Sequence, residues 1–241
     1  MKNLVYFISN DKYKDVLDYN LSCFYKSSKS SNIDVCCITP QNSSITKEHY
    51  NLNGVYCIEN FDFRYSAKFV IGEWTESSQY ENFLYLDTDA VPIKDLNVVF
   101  NDIQNEPDFI HGAIECFNLN SRDHYHRFSS ITFDESAPAY NAGSFGFNKK
   151  MLSKMKTFLE YIETNKQKAF LDQSLFNEFF PSEKIITPTL SKYVYLYNQD
   201  NIYKDINKIN MQEAHIVHFL GNAYGGKNVK NMQDKLKSFY G

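Results

Sequence analysis

The segment NFLYLDTDAVPI, residues 82–93, runs from apolar residues into two carboxylates separated by one residue, Asp87 and Asp89. Side chains of a strand alternate between faces, so both aspartates lie on one side where the backbone stays extended. Carboxylates this close repel each other unless solvent, hydrogen-bond donors or a cation lie between them. Carboxylate oxygens favour Mg²⁺ or Mn²⁺, ions that also bind substrate phosphates. The pair is a candidate metal site, and a solvated turn is the alternative.

A histidine near the C-terminus is a second candidate ligand. His218 lies in the apolar segment AHIVHF, and Gly221 follows three residues later, where the backbone can approach a phosphate closely. Imidazole nitrogen and carboxylate oxygens together suit a divalent ion. A core histidine on a buried strand is the alternative.

Other polar candidates have structural alternatives. Lys68 has the charge to bind an anionic ligand, but it is also compatible with a surface position on an amphipathic helix. Asn141 offers a donor and an acceptor to a polar ligand, and Gly143 is a strand glycine that leaves room for a ligand. Asparagine also caps turns. Asp172 begins a predicted helix, where an aspartate often serves as the N-cap.

The elements that must position these residues alternate along the chain. We predict strands in NLVYFIS, IDVCCIT, GVYCIE and NFLYL, with helices in KYKDVLDYNLSCFYKSS and SAKFVIGEWTESSQY between them. Further along, we predict strands in NAGSFGFN and AHIVHF and helices at about 149–164, at about 172–179 and in NVKNMQDKLKSFY. This order predicts an α/β fold with a mixed, mainly parallel sheet flanked by helices. Ligands of such sheets bind beyond the carboxyl ends of the strands, where Asp87 and Asp89 fall.

Composition narrows the class of protein. The chain has 241 residues, 43% of them hydrophobic, which favours one globular domain over residues 1–241. Its net charge of −4 argues against a nucleic-acid partner. Five cysteines without C-x-x-C spacing indicate neither a disulfide framework nor a zinc site. We find no apolar segment long enough for a signal peptide or a membrane span, and we expect a cytoplasmic protein. The sequence leaves a homodimer open.

Several motifs in order resemble glycosyltransferase family 8, the glycogenin type, whose nucleotide-sugar-binding α/β fold is called GT-A and is Rossmann-like. The matching segments are SNDKY, AKF, YLDTDAVPIKDL, NAGSFGFN, DQSLFN and HFLG. The resemblance implies a metal-dependent, configuration-retaining transferase that moves a sugar from a nucleoside diphosphate, by resemblance a uridine diphosphate. It also implies a nucleotide-binding half at about 1–115 and an acceptor and sugar half at about 116–241.

The same resemblance assigns roles to residues of this chain. It implies Mn²⁺ or Mg²⁺ ligation by Asp87, Asp89 and His218, and sugar and catalytic contacts by Asp172 and Gln173. The implied donor-binding residues, which include Asp87 again, are Phe7, Ser9, Asn10, Tyr13, Lys68, Asn141, Gly143, Gly221 and Lys227. With no obvious carboxylate nucleophile, same-face attack by the acceptor is the interpretation we favour.

One position departs from the family pattern. The family has a lysine at the sixth position after the histidine, where this chain has Tyr224, and Lys227 comes three residues later. We predict that the segment containing Gly221 closes over the diphosphate and brings Lys227 to the leaving group. The alternatives are a non-catalytic protein that binds carbohydrate or nucleotide sugar on the same fold, and a sugar-1-phosphate nucleotidyltransferase. The nucleotidyltransferase would need a glycine-rich phosphate loop after the first strand, which SNDKYKD is not.

Overall fold

The computed structural model describes residues 2–28, 32–58, 65–116, 138–165, 172–197, 207–220 and 228–240. Four strands that begin the sheet follow the predicted apolar runs: β1 (Asn3–Ile8), β2 (Ile33–Pro40), β3 (Gly54–Ile58) and β4 (Asn82–Leu86). They are parallel to one another in the order β3-β2-β1-β4. β1 and β4 are buried along nearly their whole length, as expected of central parallel strands covered on both faces.

Three later strands complete a seven-stranded sheet: β6 (Ile110–Cys116), β7 (Ala139–Asn148) and β8 (Ile186–Thr187). Its order is β3-β2-β1-β4-β7-β6-β8, and of the described strands of this sheet only β7 runs antiparallel to its neighbours. A second, three-stranded sheet has the order β5-β10-β9, from β5 (Ala90–Pro92), β9 (Val194–Tyr197) and β10 (Ile216–Phe219). The predicted mixed, mainly parallel sheet is confirmed.

The described α-helices are α1 (Lys14–Ser27), α2 (Lys47–Tyr50), α3 (Asn97–Asn105), α4 (Leu152–Asn165), α5 (Asp172–Ser182) and α6 (Val229–Tyr240). Leu17 and Phe24 of α1 pack with Val99 of α3 on one face of the large sheet. Phe158 of α4 and Phe176 of α5 pack on the other face. The sheet therefore has apolar layers on both faces. No helix within the described ranges combines the length and the apolar character that a membrane crossing needs.

The predicted α-helix over 66–80 is wrong. Two 3₁₀ helices occupy this segment, Tyr65–Glu73 and Thr75–Gln79. All five residues from Ala67 to Ile71 are buried, a pattern that one apolar stripe with a period of 3.6 residues does not produce. The first of these runs, Tyr65–Glu73, is long for a 3₁₀ helix, a conformation found mainly in short pieces. It also places Lys68 inside the protein.

Candidate metal and donor site

The turn that carries the two aspartates is fixed by the backbone of three separate elements. Asp87 follows the last residue of β4, and the Ala90 N–H donates to the Asp87 carbonyl at 2.8 Å. The Asp87 N–H donates to the Gly143 carbonyl of β7 at 2.7 Å. From β10, the Phe219 N–H donates to the Asp89 carbonyl at 2.9 Å. The turn is thus held between β7 and β10.

Helix α1 holds the same turn from the inside. The fully buried amide of Asn20 donates to the carbonyls of Thr88 at 2.9 Å and Ala90 at 2.8 Å. Two backbone acceptors of the turn are satisfied by one side chain, and buried acceptors left without donors would be costly. Asn20 therefore restricts where Asp89, which lies between those two residues, can point.

Strand β10 brings His218 to the two aspartates. His218 pairs with Ala90 in the antiparallel β5–β10 register. Its Nε2 lies 3.5 Å from Asp89 Oδ1 and 3.9 Å from Asp87 Oδ2, and one ligand atom from each residue fits within 4.8 Å. Asp89 and His218 are each 3% exposed, whereas Asp87 is partly exposed. These three form the only such cluster of potential metal ligands among the described residues.

The charge and hydrogen bonding of this cluster fit a divalent cation. Asp89 Oδ1 is buried and accepts no hydrogen bond within the described part of the chain. A buried carboxylate oxygen without a donor is costly unless a cation approaches it. Two carboxylate oxygens and one imidazole nitrogen are a suitable partial ligand set for Mn²⁺ or Mg²⁺, which keep further positions for water and phosphate.

A bulge in β7 makes room for the cluster. The β6–β7 register passes from Gly112 opposite Phe145 to Ala113 opposite Asn141, which leaves residues 142–144 without partners on β6. Bulges of this kind are common beside active sites. At Gly143, a Cβ would lie 2.4 Å from His218 Cε1 and 2.5 Å from Asp87 Oδ2. The cluster therefore requires a residue without a side chain at this position.

Tyr85 orients the first aspartate. The hydroxyl of Tyr85 donates to Asp87 Oδ1, while Asp87 Oδ2 faces His218. Burial and the nearby Asp87 carboxylate raise the pKa of Tyr85 well above its ordinary range, so the hydroxyl stays protonated and remains a donor. One oxygen of Asp87 is thus engaged by the protein and the other is directed at the cluster.

A buried ion pair lies on the other side of Tyr85. Lys68 Nζ is 2.9 Å from Asp172 Oδ2 and donates to the Ala142 carbonyl at 2.7 Å. The ammonium also lies 5.1 Å from the centre of the Tyr85 ring. Burial raises the pKa of Asp172, Lys68 opposes that shift, and Asp87 adds to it. Asp172 is therefore positioned by Lys68 beside the metal cluster.

A network of amide groups lies beside the bulge of β7. The Ala142 N–H donates to Gln173 Oε1 at 2.9 Å, and the Gln173 amide nitrogen donates to Glu115. The Gly143 N–H donates to Asn141 Oδ1 at 2.9 Å. The bulged part of β7 and the first turn of α5 are thus joined through side chains whose amide groups lie next to Gly143.

Comparison with known proteins decides the family. The sequence pattern described as "Glycosyl transferase family 8" matches residues 24–224. The chain belongs to glycosyltransferase family 8. It is a glycosyltransferase, and the family and activity predicted from the motifs are confirmed. A comparison with curated protein sequences yields no match.

Solved structures share the fold of this family 8 enzyme. A galactosyltransferase, LgtC, in complex with donor and acceptor sugar analogues superposes with a TM-score of 0.69 at 16% identity, over 98% of this chain and 95% of that one. The glycosyltransferase GlyE of Streptococcus pneumoniae TIGR4 gives 0.65 at 17% identity, over 92% of this chain and 56% of that one. Mouse xyloside xylosyltransferase 1 gives 0.59 at 12% identity, over 92% and 97%. At these identities the likeness establishes the GT-A fold alone.

The predicted nucleoside-binding residues of the enzyme lie at the carboxyl end of β1. Phe7 is fully buried in the core, and its predicted contact with the nucleoside stays a prediction. The Asn10 side chain accepts from the Lys12 N–H at 3.0 Å and caps a 3₁₀ turn, Asp11–Tyr13, that ends in Tyr13. Ser9 is buried beside it. Gly221 and Lys227 lie outside the described residues, and their roles stay predictions.

Three positioning residues were not singled out from the sequence. They are Asn20, Tyr85 and Glu115. Two of them carry a sequence signal in hindsight: Asn20 is a polar residue on the apolar face of α1, and Glu115 is an acidic residue in a mostly apolar strand. Tyr85, an aromatic residue within a buried strand, carries none. Buried polar residues of this kind need partners, and the partner reveals the role.

Proposed function

We propose that this enzyme transfers a sugar from a nucleoside diphosphate sugar, with uridine as the nucleoside, to an acceptor, and that it retains the anomeric configuration. The observation that carries the proposal is the cluster of Asp87, Asp89 and His218, in which a buried carboxylate oxygen lacks a donor within the described residues. These three residues would hold Mn²⁺ or Mg²⁺. When bound, the ion supplies Lewis-acid stabilisation of the charge that develops on the departing diphosphate.

The residues around the cluster supply orientation. We infer that Asp172, held by Lys68, accepts hydrogen bonds from sugar hydroxyls, and that Asn141 offers its amide to the same sugar. The amide of Gln173 lies at the start of α5, where its oxygen can stabilise positive charge on the reacting carbon. Asp87 and Asp89 come from the proposed nucleotide-binding half, whereas these sugar-side residues come from the second half, so the site joins both halves.

The state of the nearby carboxylates bears on how a retaining transfer, which the family resemblance implies, would proceed. Asp172 is paired with Lys68, and Glu115 accepts from Gln173, so both are engaged by the protein. A covalent nucleophile needs an oxygen directed at the reacting carbon. The engagement of these two groups favours same-face attack by the acceptor, with the departing diphosphate as the proton acceptor.

Calorimetry of UDP binding tests this proposal. We expect UDP to bind in the presence of Mn²⁺ and to lose about 10–100-fold in affinity with a chelator or in Asp89→Asn, which keeps the shape but removes the ligand charge. Asp108→Asn is the matched control, because its side chain is 73% exposed and lies outside the cluster. Equal affinity with and without chelator would refute the metal site. Release of UDP from a panel of UDP-hexoses, with and without Mn²⁺, then identifies the donor sugar.

A further inference from the structure

We propose that Glu115 is a positioning residue for sugar transfer, because its carboxylate fixes the orientation of the Gln173 amide. Glu115 is the next-to-last residue of β6 and is 4% exposed. The inference rests on the proposed function, in which the Gln173 amide lies beside the reacting carbon and Glu115 acts by orienting that amide.

Two hydrogen bonds define how the Gln173 amide points. Its nitrogen donates to Glu115 Oε2, and its oxygen accepts from the Ala142 N–H at 2.9 Å. A flipped amide would place its oxygen against the carboxylate and its NH₂ group against another N–H. Both contacts would then be repulsive, because a carboxylate only accepts and a backbone N–H only donates. Glu115 therefore selects one of the two orientations.

The same carboxylate oxygen also reaches a second amide of the site. Asn141 Nδ2 lies 3.4 Å from Glu115 Oε2, and Asn141 Oδ1 accepts from the Gly143 N–H at 2.9 Å. One buried acceptor thus aligns Gln173 and Asn141, which lie on different elements. Charge-assisted hydrogen bonds are about twice as strong as neutral ones, and a chain of them polarises each member. The hydrogen bond to the negatively charged Glu115 increases the partial negative charge on Gln173 Oε1, which can then better stabilise positive charge that develops on the reacting carbon.

The backbone of Gln173 does not depend on Glu115. Asn177 Nδ2 donates to the Gln173 carbonyl at 2.9 Å and to the Tyr140 carbonyl at 2.8 Å, which docks α5 onto β7. Loss of the Glu115 charge should leave the helix in place and free only the side-chain amide. This separation makes the inference testable by a kinetic split between binding and turnover.

Glu115→Gln is the test, because it keeps the size of the side chain and removes the charge. With the UDP-hexose identified by the panel and saturating Mn²⁺, we expect kcat to fall by about 10–100-fold. UDP affinity and donor KM should stay within about twofold, because the interaction matters mainly in the transition state. Glu115→Asp retains the charge and should recover part of the loss, and melting temperatures show that both variants are folded.

A double-mutant cycle distinguishes action through Gln173 from an independent role. If Glu115 acts through Gln173, then Glu115→Gln should change kcat by no more than about twofold in a Gln173→Ala background. Equal loss in both backgrounds would overturn the inference, as would a kcat of Glu115→Gln close to that of the parent enzyme. These outcomes are separate from failure of the proposed function, which would appear as UDP binding by the parent enzyme that does not depend on Mn²⁺.

Discussion

The substitution Gly143→Ala tests whether the bulge of β7 exists to accommodate the metal cluster. The added Cβ would lie 2.4 Å from His218 Cε1 and 2.5 Å from Asp87 Oδ2. Non-bonded carbon atoms prefer about 3.5–4.0 Å, so the methyl group overlaps its neighbours by roughly 1 Å. The backbone cannot easily retreat, because the Gly143 carbonyl accepts from Asp87 at 2.7 Å and its N–H donates to Asn141 at 2.9 Å. His218 and Asp87 must therefore move apart.

The size of the effect follows from that displacement. A misplacement of about 1 Å in a catalytic constellation costs about 10²-fold, and we expect Mn²⁺-dependent UDP affinity to fall by a factor of about 10–100. Overpacking of the site should lower the free energy of unfolding by about 1–3 kcal/mol. Calorimetry of UDP binding with Mn²⁺ measures the first quantity, and urea unfolding in chelator measures the second.

Gly146→Ala is the matched control on the same strand. Its Cβ would lie 2.5 Å from Ile103 Cδ1, a similar overlap but against the apolar core. We expect a comparable loss of stability with UDP affinity unchanged. The reasoning is refuted if folded Gly143→Ala binds UDP with Mn²⁺ as tightly as the parent enzyme, or if both alanine variants lose affinity equally.

Three other predictions follow from buried polar groups. Lys68→Met should lower the free energy of unfolding by about 3–5 kcal/mol in urea titrations, because it leaves the buried Asp172 carboxylate unpaired. Its control, Lys149→Met, breaks the exposed 2.6 Å ion pair with Glu81 and should cost less than about 1 kcal/mol. Burial lowers the pKa of His111, whose Nε2 donates to the Glu106 carbonyl at 3.1 Å and whose Nδ1 has no partner within the described residues. The neutral ring therefore stabilises the fold above the ordinary histidine pKa of about 6.5. This stabilisation is lost as the pH falls below that value, because the unfolded chain then binds the proton more readily. His111→Asn should flatten this pH dependence in unfolding titrations, and an unchanged pH dependence would refute the role of His111. Asn20→Leu leaves two buried carbonyls without donors and should weaken Mn²⁺-dependent UDP binding by about 10-fold in calorimetry, and unchanged affinity would remove Asn20 from the site.

The parts of the fold that depend on local pattern could be read from the sequence. Buried strands of four to eight apolar residues, such as β1 and β4, appear where the pattern predicts them, and Asp87 follows the end of β4. The histidine strand β10 was predicted for the same reason. The order of these segments predicted a mainly parallel α/β sheet. The GT-A fold was implied by the resemblance of the ordered motifs to glycosyltransferase family 8.

What the sequence did not indicate depends on contacts between distant residues. The reversed direction and the bulge of β7 arise from its pairing with β4 and β6, and no local period encodes them. Asn20 reaches the turn across 68 residues, and Gln173 reaches Glu115 across 58. The 3₁₀ winding around Lys68 is set by enclosure on several sides, which a one-stripe interpretation misses.

Some of the buried carboxylates in the site have a partner of opposite charge within the described part of the chain, and others do not. Asp172, for which we propose contact with the sugar, is neutralised by Lys68 at 2.9 Å, so that carboxylate is positioned before any ligand arrives. On the metal side, Asp87 and Asp89 lie near each other and near His218, and Asp89 Oδ1 has no donor among the described residues. A cation that binds there stabilises the folded state by mass action, because the unfolded chain offers no such cluster. Under the proposed function, Asp172 is therefore preorganised by the protein, whereas Asp87 and Asp89 acquire their compensating positive charge from the ion. The ion then attracts the anionic diphosphate of the donor, which the two carboxylates alone would repel.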